Sequence, residues 1–412
     1  MSYSPQNLLP VDDLIAQLLS SAELSAPENE NCPLDAALGR VLSESIISGM
    51  DVPPFDNSAM DGYALAWSTK LQDQILTVSH TTYAGQASAE IMPDSAVRIL
   101  TGASIPRGAD TVIMQENVTH SVTDDVVTIQ INQQPAQGEN IRRAGQDIAK
   151  GQLVFSVGTR LGAAEIGLLA SLGIATVNVY QRLKVSVIAT GDELIEVGQP
   201  LVEGQIYNSN APMLAALLKS LNVQLMRVEH VPDQPERLQE ILSLAATDSD
   251  LILTTGGASV GDADHLKSVL TQIGRIENWK IAIKPGKPLV WGEVNTRLRN
   301  VPLVGLPGNP QSVWVTFLIV VLPYLKALQG QRVRLIPQSV KVPAGFARLK
   351  SQGRREYLRV RLIDGQLIPH GMQSSGALMS ASWADGFAVV EVGQTFDVGD
   401  LIEYLPMSGV FG

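Results

Sequence analysis

The sequence predicts a multidomain α/β protein with a central, doubly wound and mostly parallel sheet, an inserted β-rich module and a C-terminal β-barrel or sandwich. Three observations support this fold class. In the middle of the chain, short apolar runs alternate with amphipathic segments, which is typical of βαβ units. On both sides of this region, short β-like runs are separated by Gly, Pro and Asn turns. The chain has 412 residues, 45% hydrophobic and 17% charged, enough for about two to four domains.

Composition and charge exclude several classes of partner and site. The formal net charge of -11 argues against a nucleic-acid partner, because such binding depends on basic patches that neutralise phosphates. Cys32 is the only cysteine, which excludes an intrachain disulfide and a cysteine-based zinc site. The five histidines are scattered, so we expect no histidine metal cluster. The N-terminus lacks the basic region and long apolar core of a signal peptide, and we expect a cytoplasmic protein.

The predicted elements follow in chain order. A helix is predicted over Val11 to Leu24, where Leu14, Ile15 and Leu18 recur at helical spacing. A compact helix before Gly173 precedes the central strands. The predicted domains are an N-terminal helical segment that packs on the α/β domain (1–26), a connecting domain (27–50 and 148–176), the β-rich module (51–147), the α/β domain (177–330) and the C-terminal β-domain (331–412).

Five strands and three intervening helices are predicted in the α/β domain. The strands are LKVSVIATG, VQLMRVEHV, DLILTTGG, PLVWGE and VPLVGLPG. They are almost continuously apolar, as expected of a sheet covered on both faces. The run from Val313 to Leu325 is interpreted as the last helix of this domain rather than a membrane anchor, because a membrane span needs ~20 apolar residues.

Polar loops follow several of these strands, at the edge where open α/β sheets bind ligands. The loop TTGGASVGDADH holds Gly256, Gly257, Ser259 and Gly261, whose backbone and hydroxyl groups suit an anion. An ordinary tight βα turn is the alternative interpretation.

Carboxylates gather at the same edge of the predicted sheet. Asp233 and Asp264 lie near Asp192 and Glu193, and a few carboxylates combined with phosphate oxygens suit Mg²⁺. The alternative is that each one only favours a helix N-terminus, which applies most strongly to Asp262.

Positive charge is concentrated in the segment WKIAIKPGKP. In this acidic chain, Lys280, Lys284 and Lys287 suggest an oxyanion site, although a solvated turn is the alternative. In GLPGNPQS, Pro307 and Pro310 stiffen a turn against the apolar helix. The polar groups of that turn that face a ligand would be those of Asn309, Gln311 and Ser312.

The β-rich module carries three loops dense in special residues, PPFDNSAMDGYA, RILTGASIPRGAD and GENIRRAGQDI. A β module can carry such loops as turns only. Three of them in one module favour a functional surface, since binding residues concentrate on loops held by a rigid scaffold.

These motifs occur in order: FDNSAMDGYA, TGASIPRGADTVIMQE, NIRRAGQDI, TGDEL, TTGGASVGDAD, KPGKP and GLPGNPQS. Together they resemble the molybdopterin molybdenumtransferase (MoeA) family. The resemblance implies a homodimer with an active site shared between subunits, which inserts molybdate into adenylated molybdopterin with Mg²⁺ and releases AMP. The α/β domain alone would also fit a molybdopterin adenylyltransferase, and a non-catalytic molybdopterin carrier or scaffold is a further alternative.

The resemblance also implies roles for individual positions. The implied catalytic residues are Asp61, Thr101, Asp147, Glu193, Lys280 and Lys284. The implied metal ligands are Asp233 and Asp264. The implied substrate-binding residues are Lys287, Ser312, Arg354 and Ser375, with Arg355 as an alternative to Arg354. The glycine-rich loop and the proline turn add the substrate-binding candidates Gly256, Gly257, Ser259, Gly261, Pro307, Asn309 and Pro310. The implied partners, besides the substrates, are the adenylyltransferase and the proteins that mature molybdoenzymes, with neither nucleic acid nor membrane.

Overall fold

Three six-stranded sheets and several two-stranded ribbons make up the computed structural model, which describes residues 8–23, 27–68, 70–87, 89–257, 265–332 and 338–408. The elements up to residue 180 are α1 (Val11–Glu23), β1 (Asn29–Pro33), β2 (Ile46–Ile47), β3 (Asn57–Ser58), β4 (Gly62–Leu65), β5 (Ile75–Thr82), β6 (Ser95–Ile99), β7 (Thr111–Met114), β8 (Val118–Thr123), β9 (Val126–Ile131), β10 (Ile141–Arg142), β11 (Leu153–Phe155), α2 (Ala163–Ser171) and β12 (Thr176–Tyr180).

The β-rich module is built on one sheet with the strand order β7-β4-β6-β5-β9-β8. Before and after it in the chain, β1 pairs with β12 and β2 pairs with β11, all antiparallel. These ribbons enclose a small core that includes Leu42, Leu161 and Val179, each fully buried. The module is therefore an insertion between two segments that fold together.

The central region follows. Its elements are β13 (Lys184–Thr190), β14 (Leu194–Ile195), β15 (Ile206–Tyr207), α3 (Asn210–Ser220), β16 (Gln224–Val231), α4 (Pro235–Asp248), β17 (Leu251–Thr255), α5 (His265–Ile273), β18 (Gly274–Lys280), β19 (Ile283–Lys284), β20 (Pro288–Asn295), β21 (Asn300–Leu306), α6 (Pro310–Thr316), a π-helical segment (Phe317–Val321) and α7 (Leu322–Leu328). Its main sheet has the order β16-β13-β17-β21-β20-β18. The first four strands pair in parallel, and β20 alone runs the other way, pairing antiparallel with both β21 and β18, which confirms the predicted α/β fold class with a mostly parallel sheet.

Two features of this region differ from the sequence prediction. The strand β18 was not predicted, because it is an edge strand whose Arg275 pairs with Glu277 and Glu293 and so does not read as an apolar run. The last helix begins at Pro310 instead of Val313, since proline suits the first turn of a helix.

The last helix was also the only candidate for a membrane anchor in the sequence. Within the described residues, Pro310–Leu328 is the one helix long and apolar enough to cross a membrane. Of its apolar stretch, 78% is buried in the protein. Its Val320 and Leu325 lie in the core that Leu14 and Leu18 of α1 also enter. The helix is longer than the apolar run suggested, but its burial is that of a core helix.

The C-terminal region adds β22 (Val340–Pro343), β23 (Arg355–Ile363), β24 (Gln366–Pro369), α8 (Met379–Trp383), β25 (Gly386–Val390) and β26 (Leu401–Pro406). Its sheet has the order β19-β23-β25-β26-β22, and β24 pairs with the C-terminal end of β23. Since β19 comes from the central region, this sheet continues directly from the lysine-rich turn: Lys284 lies opposite Glu356 in the parallel pair β19–β23.

Candidate functional site

A cavity of about 940 Å³ lies at the carboxyl ends of the parallel strands. Thr190 ends β13, Thr255 ends β17 and Pro307 follows β21, and all three line it. This is the edge at which open α/β sheets bind ligands. The loop 373–376 of the C-terminal region closes the opposite side.

The cavity brings together many of the predicted site residues. They are Glu193, Asp233, Gly256, Gly257, Lys284, Lys287, Pro307, Asn309, Pro310, Ser312, Arg354 and Ser375. Ser259, Gly261 and Asp264 lie outside the described residues. Lys280 is described but does not line the cavity; its carbonyl accepts a hydrogen bond from the Leu9 amide at 3.3 Å.

One wall of the cavity is cationic. Lys284, Lys287 and Arg354 come from the lysine-rich turn and the start of β23, and the Arg354 guanidinium donates to the Ile283 carbonyl at 3.0 Å. Gly286 lets this turn lie against α6: its φ is +118°, and a Cβ there would lie 2.5 Å from Thr316 Cγ2. Only glycine fits a turn at this position, so the lysines are held close to the helix N-terminus.

Arg359 is a fourth cation of this wall, and it was not predicted as a site residue. Its side chain is almost fully buried, with 1% of the residue exposed. It donates to uncharged groups, the Ser380 hydroxyl at 3.2 Å, the Tyr357 carbonyl at 3.3 Å and the Ser374 carbonyl at 3.5 Å. Burial lowers the pKa of Arg359 to about 10, and the Glu356 charge opposes this shift. The side chain therefore brings a desolvated positive charge to the cavity.

Glu356 also lines the cavity and was not predicted. It is 4% exposed and forms two ion pairs, one with Lys284 Nζ at 2.9 Å and a second with Arg348. A buried carboxylate inside a cationic wall is costly unless it is paired. Here both of its oxygens have a cation.

Buried polar side chains hold the turn GLPGNP in place through hydrogen bonds to its backbone carbonyls. Asn210 Nδ2 donates to the Gly308 carbonyl at 2.7 Å and to Thr255 Oγ1 at 2.9 Å, and Thr255 Oγ1 donates to the Pro307 carbonyl at 3.1 Å. Ser312 lies just after this turn, in the first turn of α6, with 3% of its surface exposed. The turn and the helix N-terminus thus present a rigid polar floor.

The glycine-rich loop begins with a conformation that side chains rarely adopt. Gly256 has a φ of +85°, and a Cβ there would lie 2.2 Å from the Thr190 carbonyl oxygen. A glycine is therefore required where β17 leaves the sheet beside the end of β13. Gly257 follows with a φ of +61°.

Two carboxylates, Glu193 and Asp233, line the cavity just beyond the ends of β13 and β16 and form its acidic wall. The Asp233 amide donates to Asp192 Oδ1 at 3.0 Å, and Glu193 lines the cavity with Asp233. Burial raises the pKa of Asp233, and the charges of Asp192 and Glu193 add to the rise. Within the described residues, no group of three or more His, Cys, Asp and Glu side chains is arranged to hold a metal. The donors present are carboxylates, the type that Mg²⁺ prefers.

A partly apolar rim completes the cavity. Leu194, Ile206 and Tyr207 line it. Tyr207 is 44% exposed, and its hydroxyl donates to the Gln199 carbonyl at 2.9 Å. This flat, fixed ring suits contact with a planar heterocycle. Its role could not be predicted from the sequence, since IYN has no distinguishing pattern.

The three special loops of the β-rich module meet on a second surface. Arg142 pairs with Asn57 across β10–β3, the Gly102 amide donates to the Ser58 carbonyl at 2.9 Å and the Asp147 amide to the Val52 carbonyl at 3.0 Å. This arrangement gathers loops that are far apart in sequence.

Asp61 and Thr101 are directly bonded on this surface. Asp61 Oδ1 accepts from the Thr101 amide and from Thr101 Oγ1, both at 2.7 Å. These bonds, with the nearby Arg98 charge, lower the pKa of Asp61. Asp61, Thr101 and Asp147 are exposed and do not line the cavity of their own chain.

Three family models match nearly the whole chain. Residues 9–173 match the MoeA N-terminal region (domain I and II), residues 186–327 a probable molybdopterin binding domain, and residues 341–407 the MoeA C-terminal region (domain IV). The chain is 42% identical to a molybdopterin molybdenumtransferase of Haemophilus influenzae, covering 85% of each protein. It is 37% identical to one from Nostoc, covering 90% of this chain and 87% of the relative.

A solved structure shows the same overall fold. The molybdopterin biosynthesis moeA protein from Pyrococcus horikoshii superimposes with a TM-score of 0.82 at 28% identity, over 97% of this chain and 100% of that one.

Proposed function

Because the chain belongs to the molybdopterin molybdenumtransferase (MoeA) family and is an enzyme of molybdenum cofactor biosynthesis, we propose that it inserts molybdate into adenylated molybdopterin and releases AMP. The observation that carries this proposal is the cationic wall, formed by Lys284, Lys287, Arg354 and Arg359 in a chain of net charge -11.

Molybdate, in this proposal, binds between the cationic wall and the floor of the cavity. It is a tetrahedral dianion, and Ser312 and the buried guanidinium of Arg359 supply donors that stay fixed when it arrives. Charge-assisted hydrogen bonds in a desolvated site are stronger than those at a wet surface. The uncharged partners of Arg359 leave its charge uncompensated by direct contact, so it is available to the oxyanion.

Adenylated molybdopterin is a large anion with planar rings. The volume of the cavity, about 940 Å³, is within the range of cofactor sites. We place a planar ring against Tyr207 and the phosphates at the glycine-rich turn that begins at Gly256, since the backbone N–H groups of a glycine-rich turn suit an anion.

Mg²⁺ is the proposed cofactor, with Asp233 as one ligand and Asp264 as the other. When bound, it would neutralise phosphate charge beside the acidic wall, which would otherwise repel the substrate. Asp192 and Glu193 hold negative charge beside Asp233 and increase the attraction of the wall for a cation. In our proposal Glu193 also orients the phosphate end of the substrate.

A homodimer would supply the rest of the site. Asp61, Thr101 and Asp147 form an ordered but exposed polar surface outside the cavity of their own chain. We propose that this surface faces the cavity of the second subunit in a two-fold dimer. The dimer is placed in the cytoplasm, where the adenylyltransferase and molybdoenzyme maturation proteins would be its partners.

A single-turnover experiment tests the proposal. The protein is mixed with adenylated molybdopterin, molybdate and Mg²⁺, and AMP and the metal-containing product are quantified together. AMP released in step with metal insertion is the expected result. Binding without turnover would indicate a carrier instead, and attachment of AMP from ATP to unmodified molybdopterin would indicate an adenylyltransferase.

A further inference from the structure

The negative charge of Glu356 disfavours binding of the proposed anionic ligand. It lies on the cationic wall, 4% exposed, and a negative charge there repels any anion that enters the cavity. Uncharged side chains of the same size would avoid this repulsion. The carboxylate must therefore be explained by what it does to its partners.

The two cations paired with Glu356 differ in how easily they could move away from its carboxylate. Arg348 points to Glu356 from the C-terminal region and is 25% exposed in its side chain. Lys284 is 38% exposed in its side chain, lines the cavity and also approaches Gln352 Oε1 at 3.4 Å. A lysine ammonium is a point charge on a flexible stem, so it can exchange one oxygen partner for another without moving the backbone.

The charge of Glu356 would stay compensated after such an exchange. Arg348 remains paired with it, and the positive charge of Arg359 is felt by the same carboxylate. Lys284 can then turn from a carboxylate oxygen to a ligand oxygen with a small change in position. An anion pairs with Lys284 only if it attracts the ammonium group more strongly than the Glu356 carboxylate does.

We propose, resting on the function proposed above, that Glu356 holds Lys284 in the empty site and competes with the oxyanion for it. A singly charged anion, such as chloride, gains too little to displace the carboxylate. A dianion gains about twice the Coulomb energy at the same distance. Glu356 is therefore a specificity-determining residue that favours dianions such as molybdate over the monoanions of the cell.

The test is a double-mutant cycle on molybdate binding. Dissociation constants for molybdate alone are measured by calorimetry for the wild type, Glu356→Gln, Lys284→Met and the double variant, at constant ionic strength and with and without chloride. We expect Glu356→Gln to bind molybdate roughly three- to tenfold more tightly, the range of a partly exposed ion pair. The same variant should lose affinity steeply when chloride is added. The gain should disappear in the Lys284→Met background.

A matched control is Glu391→Gln. Glu391 is also a carboxylate of the C-terminal region paired with an arginine, Arg355, but it does not line the cavity. Its replacement should change neither molybdate affinity nor the effect of chloride.

The outcomes separate this inference from the proposed function. Weaker or unchanged molybdate binding by Glu356→Gln would mean that Glu356 only supports the fold, and an equal gain in both backgrounds would mean that Lys284 is not exchanged. Either result overturns the inference while wild-type binding leaves the proposed function intact. A wild-type protein that binds no molybdate would overturn both.

Discussion

Replacing Arg359 with methionine tests whether this buried charge serves the ligand or the fold. Burial lowers the pKa of Arg359 to about 10. The unfolded chain holds that proton more tightly, so the charged form costs stability at every pH below about 10, and the cost disappears as the pH rises past the pKa of an unfolded arginine. With about 1.4 kcal/mol for each tenfold change in proton affinity, the cost is on the order of 3 kcal/mol.

The methionine variant removes this cost and leaves few groups unpaired. Ser380 Oγ still donates to the Ala377 carbonyl at 2.8 Å, and Ser374 is exposed. The Tyr357 carbonyl loses one donor, which costs about 1–3 kcal/mol. The two effects offset, and we expect the free energy of unfolding to change by no more than about 2 kcal/mol. Molybdate, by contrast, loses a charged donor and should bind about 10- to 100-fold more weakly.

Urea unfolding and molybdate calorimetry on the same preparations measure the two quantities. Arg359→Lys is the matched control: it keeps the charge but loses the planar fork, and its affinity should fall between those of the wild type and the methionine variant. Unchanged molybdate affinity in Arg359→Met would refute the reasoning. So would a loss of several kcal/mol in unfolding free energy, since it would identify Arg359 as a structural residue.

Three further predictions concern the other walls of the site. The variants Asp61→Asn and Glu193→Gln should each be inactive. When equal amounts are mixed and subunits exchange, about half of the dimers contain one intact site, so roughly a quarter of wild-type activity should return. If no activity returned, the site would not be shared between subunits. Burial raises the pKa of Asp233, so activation by Mg²⁺ should decline on acidification at a higher pH than for an ordinary aspartate; a magnesium titration showing the same pH dependence in Asp233→Asn would disprove its role. Tyr207→Ala should raise the KM for adenylated molybdopterin about tenfold and leave the KM for molybdate unchanged, with Tyr207→Phe as the control; equal effects on both KM values would rule out a ring contact.

The parallel strands of the central sheet could be predicted because both of their faces are buried. The segments LKVSVIATG and DLILTTGG became β13 and β17, neighbours in the sheet. The edge strand β18 could not, since its Arg275 pairs with Glu277 of the same strand and with Glu293 of β20, and these charged residues hide the apolar pattern of a strand. The π-helical segment Phe317–Val321 also has no local signal, because its apolar residues would fill an α-helix equally well.

The cavity itself was predictable to the extent that its residues lie at strand ends. Asp233 and Gly256 belong to loops that follow β16 and β17, and Lys284 ends the short strand β19 just before the Pro-Gly turn. Arg359 and Glu356 lie inside a strand, REYLRVRLI, where an alternating pattern gives charged residues an outward direction. Arg359 lies on the face of β23 that carries Tyr357 and packs on the central core, whereas Glu356 lies on the opposite face with Leu358, within the core of the C-terminal sheet. Such packing between distant segments is not encoded in a local pattern.

The cavity wall formed by β19 and β23 has a consequence for how the protein unfolds. Tyr357, Phe387 and Leu405 of the C-terminal region lie in the same core cluster as Leu14 of α1 and Leu325 of α7. Separation of the C-terminal region would expose these side chains to water, so the two regions should unfold in a single cooperative transition. A ligand bound in the cavity touches both regions and raises the free energy of that one transition by RT ln(1 + L/Kd), where L is the free ligand concentration. The thermal stability of the protein is therefore a direct measure of the ligand occupancy of the cavity.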